Sequence, residues 1–322
     1  MAEWLYEESF GEKRALLIED EQVLAARTHW LSQICAGAIV LAKVVSRQSG
    51  SSRALCLTRH GYEVNASGLP RETSEGSEVR LIIHREPMAD RGRLKRAQGR
   101  YFGTHVTDLP PPSVLGEGEY VRSLPSGLWE EVWSLASDGE VPFAGGKLII
   151  SVTPAMTLID VDGHGSACEL SLAAVPAIAK AIRWFDLSGS IGIDFPTVET
   201  KADRKAVDER LAELLRDWPH ERTAMNGFGF VQIVARMEMP SLLHRFEYSR
   251  AETCARFLLR QASMLEGAGD VLITCHPSVQ HAIPDDWLIE LQDLSGRGSD
   301  RIHFETKRAL ALDAGHAQLV AQ

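Results

Sequence analysis

The sequence predicts an α/β protein of the multi-module, α+β kind, and three observations predict it. Residues 37 to 85 break into short strand-like runs separated by Gly, Ser and Pro, the rhythm of a small barrel. From about residue 146 to 240, apolar strands alternate with helical patterns, as in a sheet covered by helices. After Pro240 a second, smaller strand–helix alternation begins. The chain has 322 residues, 44% hydrophobic and 24% charged, proportions of a soluble globular protein long enough for two or three modules.

The elements follow in order. "WLYEESFGEKRALLIEDEQVLAARTH" reads as strand, turn, strand, with Gly11 in the first bend and a hairpin around Asp20-Glu21. "GAIVLAKVVS", "RALCLTRHG", "YEVNASG" and "EVRLIIHRE" are the barrel strands, punctuated by "RQSGSS" and "GLPRETSEGS". "TDLPPPSVLGEGE" is a Pro- and Gly-rich linker. "GLWEEVWSLAS" is a short amphipathic helix with Leu128, Val132 and Leu135 on one side. Lys147 to Val152 and Met156 to Asp162 are strands flanking a Thr-Pro turn, apolar enough to be central and covered on both faces. "LSLAAVPAIAKAIRWFD" is helical, with Pro176 limiting or kinking it. "GSIGIDFPTVE" is a buried strand ending at Asp194 and stopped by Pro196. "ETKADRKAVDERLAELLRDWP" is the clearest helix, with Val207, Leu211, Leu214 and Leu215 on its apolar face. "RTAMNGFGFVQIVARMEM" supplies one or two further strands. A small α/β module closes the chain, with helices over "SRAETCARFLLRQASML" and "WLIELQDLSG" and strands over "DVLITCHP" and "DRIHFETK".

Charge and cysteine usage bound the function. The formal net charge of −10 means that any polyanion would need a local basic patch. One exists between Arg80 and Arg100, where Arg80, Arg85, Arg91, Arg93, Lys95, Arg96 and Arg100 face only Glu86 and Asp90. It reads either as a polyanion-binding face or as a solvated loop. The five cysteines stand far apart, with no CxxC pair and no zinc-ligand spacing. A reduced, cytoplasmic protein is the expectation. The N-terminus has no signal-peptide pattern and no run reaches membrane-spanning length.

The chemistry concentrates in "TLIDVDGHG". Alternation sends Asp160 and Asp162 to the same face of one strand. The plain reading is a strand entering a solvated turn; the other is a divalent metal between like charges. Asp194 adds a third carboxylate at the end of a second buried strand. In an open α/β sheet, neighbouring strands would converge their terminal carboxylates. Such a set suits a hard cation, Mg²⁺ or Mn²⁺, whose usual substrate is a phosphate ester. His164 reads as a turn residue or a phosphate contact, and Glu199 as a helix-start charge. "GFGF" at Gly227–Phe230 is too short for a nucleotide loop.

"GGKLIISVTPAMTLIDVDGHG", followed by "FDLSGSIGIDF", resembles the catalytic region of the ribonuclease E/G family. There, a strand pair leads to an (A/T)-x-I-D-(V/I)-N-(S/T)-G motif and a helix leads to DLGG-x-I-x-I-D-F. The segment from Ala202, "ADRKAVDERLAELLRDWPHERTAMNGFGFVQIV", is similar to the family's next helix and strands. The resemblance implies an RNase-H-like/DNase-I-like catalytic sheet, an inserted OB-fold RNA-binding barrel and a small C-terminal α/β domain. It divides the chain into N-terminal strands packing on the core (1–36), the barrel (37–100), a linker or reduced sensor region (101–127), the catalytic domain (128–240) and the small domain (241–322). It implies that Asp160 and Asp194 hold Mg²⁺, with Asp162, an asparagine in the family pattern, assisting.

Lys95 is matched to the family's barrel lysine, with Arg91, Arg93 and Arg96 as phosphate-binding neighbours. Arg222 aligns with an arginine of the 5′-end sensor, but the rest of that motif is missing. The family's zinc link is absent, so no zinc is expected and monomer or homodimer is. Cys56 and Val64 stand where the family's barrel has stacking phenylalanines; Tyr62, Tyr101 and Phe102 are substitutes or ordinary barrel packing. The implied activity is Mg²⁺- or Mn²⁺-dependent endoribonuclease cleavage of single-stranded RNA, without membrane association. The alternatives are a non-catalytic RNA-binding relative and a phosphoesterase acting on a small nucleotide.

Overall fold

A computed structural model describes residues 1–31, 34–103 and 118–321. The chain begins as an antiparallel meander of β1 (Glu3–Ser9), β2 (Glu12–Glu19) and β3 (Gln22–Trp30). The second hairpin turns at Asp20 and Glu21, both with positive φ (49° and 62°). That is the handedness a two-residue connection needs to match strand twist.

The next five long strands close into the barrel that the turn rhythm predicts. They are β4 (Ile39–Arg47), β5 (Ala54–Thr58), β6 (Glu63–Ser67), β7 (Glu78–Arg85) and, after the short hairpin of β8 (Met88–Asp90) and β9 (Arg93–Lys95), β10 (Ala97–Gly103). The barrel order is β10-β6-β5-β4-β7, with β10 parallel to β6 and antiparallel to β7. Inward residues, Val44, Cys56, Val64, Leu81 and Ala97 among them, fill the barrel as their own core. The expected linker falls largely on 104–117, outside the described residues. Beyond it, β11 (Glu119–Tyr120) lies parallel to β1.

Helix α1 (Leu128–Asp138) leads into a six-stranded sheet. Its buried side is Trp129, Val132, Trp133 and Ala136, so the expected Leu128–Val132–Leu135 stripe is displaced by one position. The tryptophans set the rotation: Trp133 stacks on Phe257 at 4.1 Å and meets Phe246 edge-on at 5.2 Å. The sheet is built from β12 (Glu140–Phe143), β13 (Gly146–Val152), β14 (Thr157–Gly163), β15 (Gly189–Asp194), β16 (Glu221–Arg222) and β17 (Phe230–Ala235), with α2 (Ala167–Trp184) and α3 (Lys201–Leu214) between strands. Its order is β12-β13-β14-β15-β17-β16, and β14–β15 is its parallel pair. Helix α2 continues through Pro176 as one element of 18 residues, because its apolar side is buried and outweighs one lost backbone bond.

The sheet departs from expectation in one way that matters. Leu148, Ile150, Ile159, Val161, Ile191 and Ile193 are buried in the core shared with the helices. The alternate positions are not: Ser151, Asp160, Asp162 and Asp194 are exposed. The strands are covered on one face, not both, and the open face carries the carboxylates.

The remaining elements are α4 (Leu242–Tyr248), α5 (Arg250–Ser263), β18 (Asp270–Cys275), α6 (Pro277–His281), α7 (Asp285–Ser295), β19 (Ile302–Thr306) and β20 (His316–Val320). The strands form a sheet of order β19-β18-β20. Its apolar cluster is continuous with that of the large sheet, running from Phe10 through Trp133 and Ile178 to Leu259 and Leu291. Between the meander and α5 lies a buried ionic cluster, in which Arg260 pairs with Glu7 (2.6 Å) and Glu12 (3.0 Å) and Arg14 pairs with Glu7 (2.9 Å).

Candidate functional site

The parallel pairing of β14 and β15 places Asp160 directly opposite Asp194. Neighbouring strands lie about 4.8 Å apart, so two carboxylates in register share one small region of the open face. Asp162 faces the same way two residues on, about 7 Å further along the strand, opposite Lys147 of β13. Lys147 is itself held by Glu140 at 2.8 Å. Among the described residues, no three acidic, His or Cys side chains close into a metal cage. The geometry groups Asp160 with Asp194 and sets Asp162 apart by one strand repeat.

The pair is electrostatically unfinished. Burial, then the charge of Asp194, then that of Asp162, push the Asp160 carboxyl above its ordinary range. Among the described residues, no Lys, Arg or His lies within ion-pairing distance of Asp160 or Asp194. The donor set fits Mg²⁺ on chemical grounds. That ion is held by one or two carboxylates and completes its shell with water and substrate phosphate. A cation there would relieve the repulsion that raises Asp160.

The β8–β9 hairpin brings basic residues against this sheet. Lys95 Nζ donates to the Pro154 carbonyl at 3.2 Å, in the turn between β13 and β14. Asp160 lies three residues beyond the start of β14, about 10 Å up the strand. The hairpin is seated by His244 of α4, whose Nε2 bonds the Ala89 carbonyl at 2.6 Å. Asp90 organises it. The backbone N–H of Arg91, and then Arg93 and Lys95, hold its carboxyl below the ordinary range. Arg93 pairs with Asp90 at 3.2 Å and Lys95 at 3.4 Å. The hairpin therefore answers part of its own charge, while the side chains of Arg91 and Arg93 stay exposed.

Other residues expected at the site go elsewhere. Arg96 projects from the barrel side and pairs with Glu63 at 2.6 Å. Arg222 registers with buried Ile233, which puts it on the helix-covered face, and it pairs with Asp208 of α3 at 2.8 Å. The sheet separates it from the carboxylate pair. Cys56 and Val64 are fully buried in the barrel, so neither presents a surface to a base. Tyr62 and Tyr101 pack partly on the barrel core, and Phe102 is 37% exposed. His164 is an exposed turn residue. What sequence reading missed is on the open face beside the pair: Phe230, opposite Asp194, and Met156 both close over Gly192. The sequence signal was present, a glycine two residues before the acid in "GSIGID".

Fold and site together define an α/β scaffold with a carboxylate pair on an open sheet face, flanked by a basic hairpin and a β-barrel. Comparison with known proteins sharpens that class: the model of the Ribonuclease E/G family matches residues 131–237, the stretch that builds α1 to β17 and contains both aspartates. The family resemblance read from the motifs is thus matched over this segment. Among curated relatives, Ribonuclease E of Buchnera aphidicola subsp. Acyrthosiphon pisum is 32% identical over 83 residues, covering 23% of this chain and 9% of the relative. Ribonuclease G of Haemophilus influenzae is 34% identical over 113 residues, covering 31% of this chain and 23% of the relative. The chain spans less than a quarter of the length of the relatives it matches.

Among the described residues, no helix is long and apolar enough to cross a membrane.

Proposed function

We propose that this protein is a metal-dependent endoribonuclease that hydrolyses phosphodiester bonds of single-stranded RNA. The observation that carries the reading is the register of Asp160 against Asp194 on an uncovered sheet face, inside the segment matched by the family model. Asp160 and Asp194 would hold one Mg²⁺ (or Mn²⁺), with Asp162 contributing a second layer of negative charge. Bound there, the ion would supply Lewis-acid polarisation of the phosphate and a water of lowered pKa. The chain's own residues do the positioning. Lys95, Arg91 and Arg93 would neutralise flanking phosphates and fix the strand across the sheet. The barrel, read as an OB-fold, would track the single strand, and the sheet, read as the DNase-I-like layer, would keep the two carboxylates rigid.

The second reading is an RNA-binding relative that does not cut, favoured by the buried Cys56 and Val64 of the barrel and by the lack, among the described residues, of a third acidic, His or Cys side chain that closes on the carboxylate pair. One experiment separates them. Purified protein is incubated with end-labelled single-stranded RNA and Mg²⁺, with Asp160→Asn, Asp194→Asn and EDTA as controls. Cleavage by the wild type alone supports the enzyme. Retained RNA binding without cleavage, in Mg²⁺ and in Mn²⁺, selects the binding relative.

A further inference from the structure

An apolar ring left in water beside a charged site calls for an account. Phe228 is 81% exposed, more than any other large hydrophobic side chain among the described residues except Met1. It is not on a loose loop. The Asn226 side-chain carbonyl accepts the backbone N–H groups of both Phe228 (2.9 Å) and Phe230 (3.1 Å). Gly229 adopts φ +89°, and a Cβ there would lie 2.3 Å from the Phe195 carbonyl. The Phe195 N–H in turn bonds the Gly229 carbonyl at 3.2 Å. The turn that presents Phe228 is therefore clamped to the residue that follows Asp194, and a side chain larger than hydrogen at Gly229 would break the clamp.

The sheet face just before Asp194 is also apolar. Gly192 lies one strand repeat before Asp194 on the same face, and a Cβ there would meet Phe230 Cζ at 2.6 Å and Met156 Sδ at 3.0 Å. Ring and thioether thus close over the backbone at the very edge of the carboxylate pair. An exposed ring on a clamped turn, an apolar patch of sheet and an acidic pair, all at the Asp194 end of one strand, match the two halves of a nucleotide, base and phosphate. Base–aromatic stacking needs an unpaired base, because a duplex hides its faces.

We propose that Phe228 stacks on a nucleobase of the strand whose phosphate lies at Asp160 and Asp194, with Phe230 and Met156 as the floor of that seat. This rests on the RNA reading above and makes Phe228 a determinant of preference for unpaired nucleotides.

The test measures binding and cleavage separately. A fluorescein-labelled single-stranded RNA of mixed sequence is titrated by anisotropy in Mg²⁺, and cleavage of the same RNA is followed for wild type, Phe228→Ala and Phe228→Trp. A parallel set of oligonucleotides carries one abasic site, moved along the strand. Stacking is worth about 1–3 kcal/mol per base, so Phe228→Ala should weaken binding and raise KM about tenfold. Phe228→Trp should restore both, and Mn²⁺ affinity should not move. An abasic site at one position should cost the wild type a similar factor and cost Phe228→Ala little more. Wild-type-like binding by Phe228→Ala, or a loss that Trp does not restore and that Mn²⁺ affinity shares, overturns the stacking role while leaving the nuclease reading intact. RNA binding without cleavage overturns the nuclease reading, and the anisotropy series still decides the stacking role. A wild type that neither binds nor cuts RNA overturns both.

Discussion

Two acidic regions of this molecule, about equally rich in carboxylates, are treated in opposite ways. Glu7 and Glu12 are buried, and their oxygens are engaged: Glu7 by Arg14, Arg260 and the Leu124 N–H, Glu12 by Thr28, Trp30 and Arg260. Burial alone would raise Glu12, but Arg260 and then Arg256 reverse it and hold its carboxyl at about 2. Asp160 and Asp194 are exposed, aligned and unanswered, and the Asp160 carboxyl is raised. Where a fold needs charge for cohesion, it supplies the counter-charge itself. Where it aligns like charges and supplies none, it leaves them open to water or to a cation from outside.

The sharpest way to break this contrast is to remove one charge from each region. Asp194→Asn should cut Mg²⁺-dependent RNA cleavage by about 100-fold or more, since a metal site is worth several kcal/mol of transition-state stabilisation. Its thermal midpoint should stay level or rise, because one of two repelling charges has gone. A fall in midpoint would place the pair with the structural carboxylates. Arg260→Ala should do the reverse. Leaving Glu7 and Glu12 buried beside a missing guanidinium should cost about 3–5 kcal/mol in a urea melt. At a temperature where the variant is folded, cleavage should be near wild type.

Much of this division was legible in the sequence and part of it was not. Strand identity at Thr157–Gly163 and Gly189–Asp194 follows from β-branched apolar runs stopped by Gly and Pro. The i, i+2 spacing of Asp160 and Asp162 fixes a shared face whatever the tertiary context. What spacing could not give is which strands become neighbours. The register of Asp160 on Asp194 exists because α2 carries the chain back parallel to β14, a tertiary fact. The leucine spacing of α1 predicts a rotation that the structure does not adopt, because Trp129 and Trp133 are buried in place of the leucines beside them. The buried ionic cluster is invisible in the sequence, since Glu7, Arg14 and Arg260 look like ordinary surface charges until α5, which carries Arg260, packs on the meander. Phe228 sits in "GFGF", which by its pattern is only a stretch too short for a nucleotide loop, because exposure is not written in residue type.

A third prediction uses pH to probe the structural side. Burial disfavours the charged form of His29, but hydrogen bonds to Cys35 and Glu86 outweigh it and raise it to about 9. Its unfolded value is near 6.5, so the folded state binds the extra proton between those limits. This contribution to stability is full below about pH 6.5 and is lost as pH rises through 9. Urea midpoints measured from pH 6 to 10 should decline over that window, and Glu86→Gln should shift the decline to lower pH. A flat profile would mean that His29 stays neutral beside Glu86.

Arg222 gives the smallest effect and tests the contrast at its margin, because it is neither fully buried nor free. Its guanidinium bonds the Asp208 carboxylate and backbone carbonyl, each at 2.8 Å, and the same carboxylate accepts the Met225 N–H. The pair is 18% and 17% exposed, between the buried cluster and a surface ion pair. Its loss in Arg222→Ala should therefore cost about 1 kcal/mol. Alignment alone would make this arginine a reader of the RNA 5′ end. Its position on the helix-covered face makes it a staple between α3 and the turn that leads to Asn226. Cleavage of 5′-monophosphorylated and 5′-triphosphorylated versions of one RNA should then keep the same ratio in wild type and Arg222→Ala. A ratio that collapses in the variant would show that Arg222 leaves Asp208 for a terminal phosphate, and would move it from the residues that hold the fold to those that face the substrate.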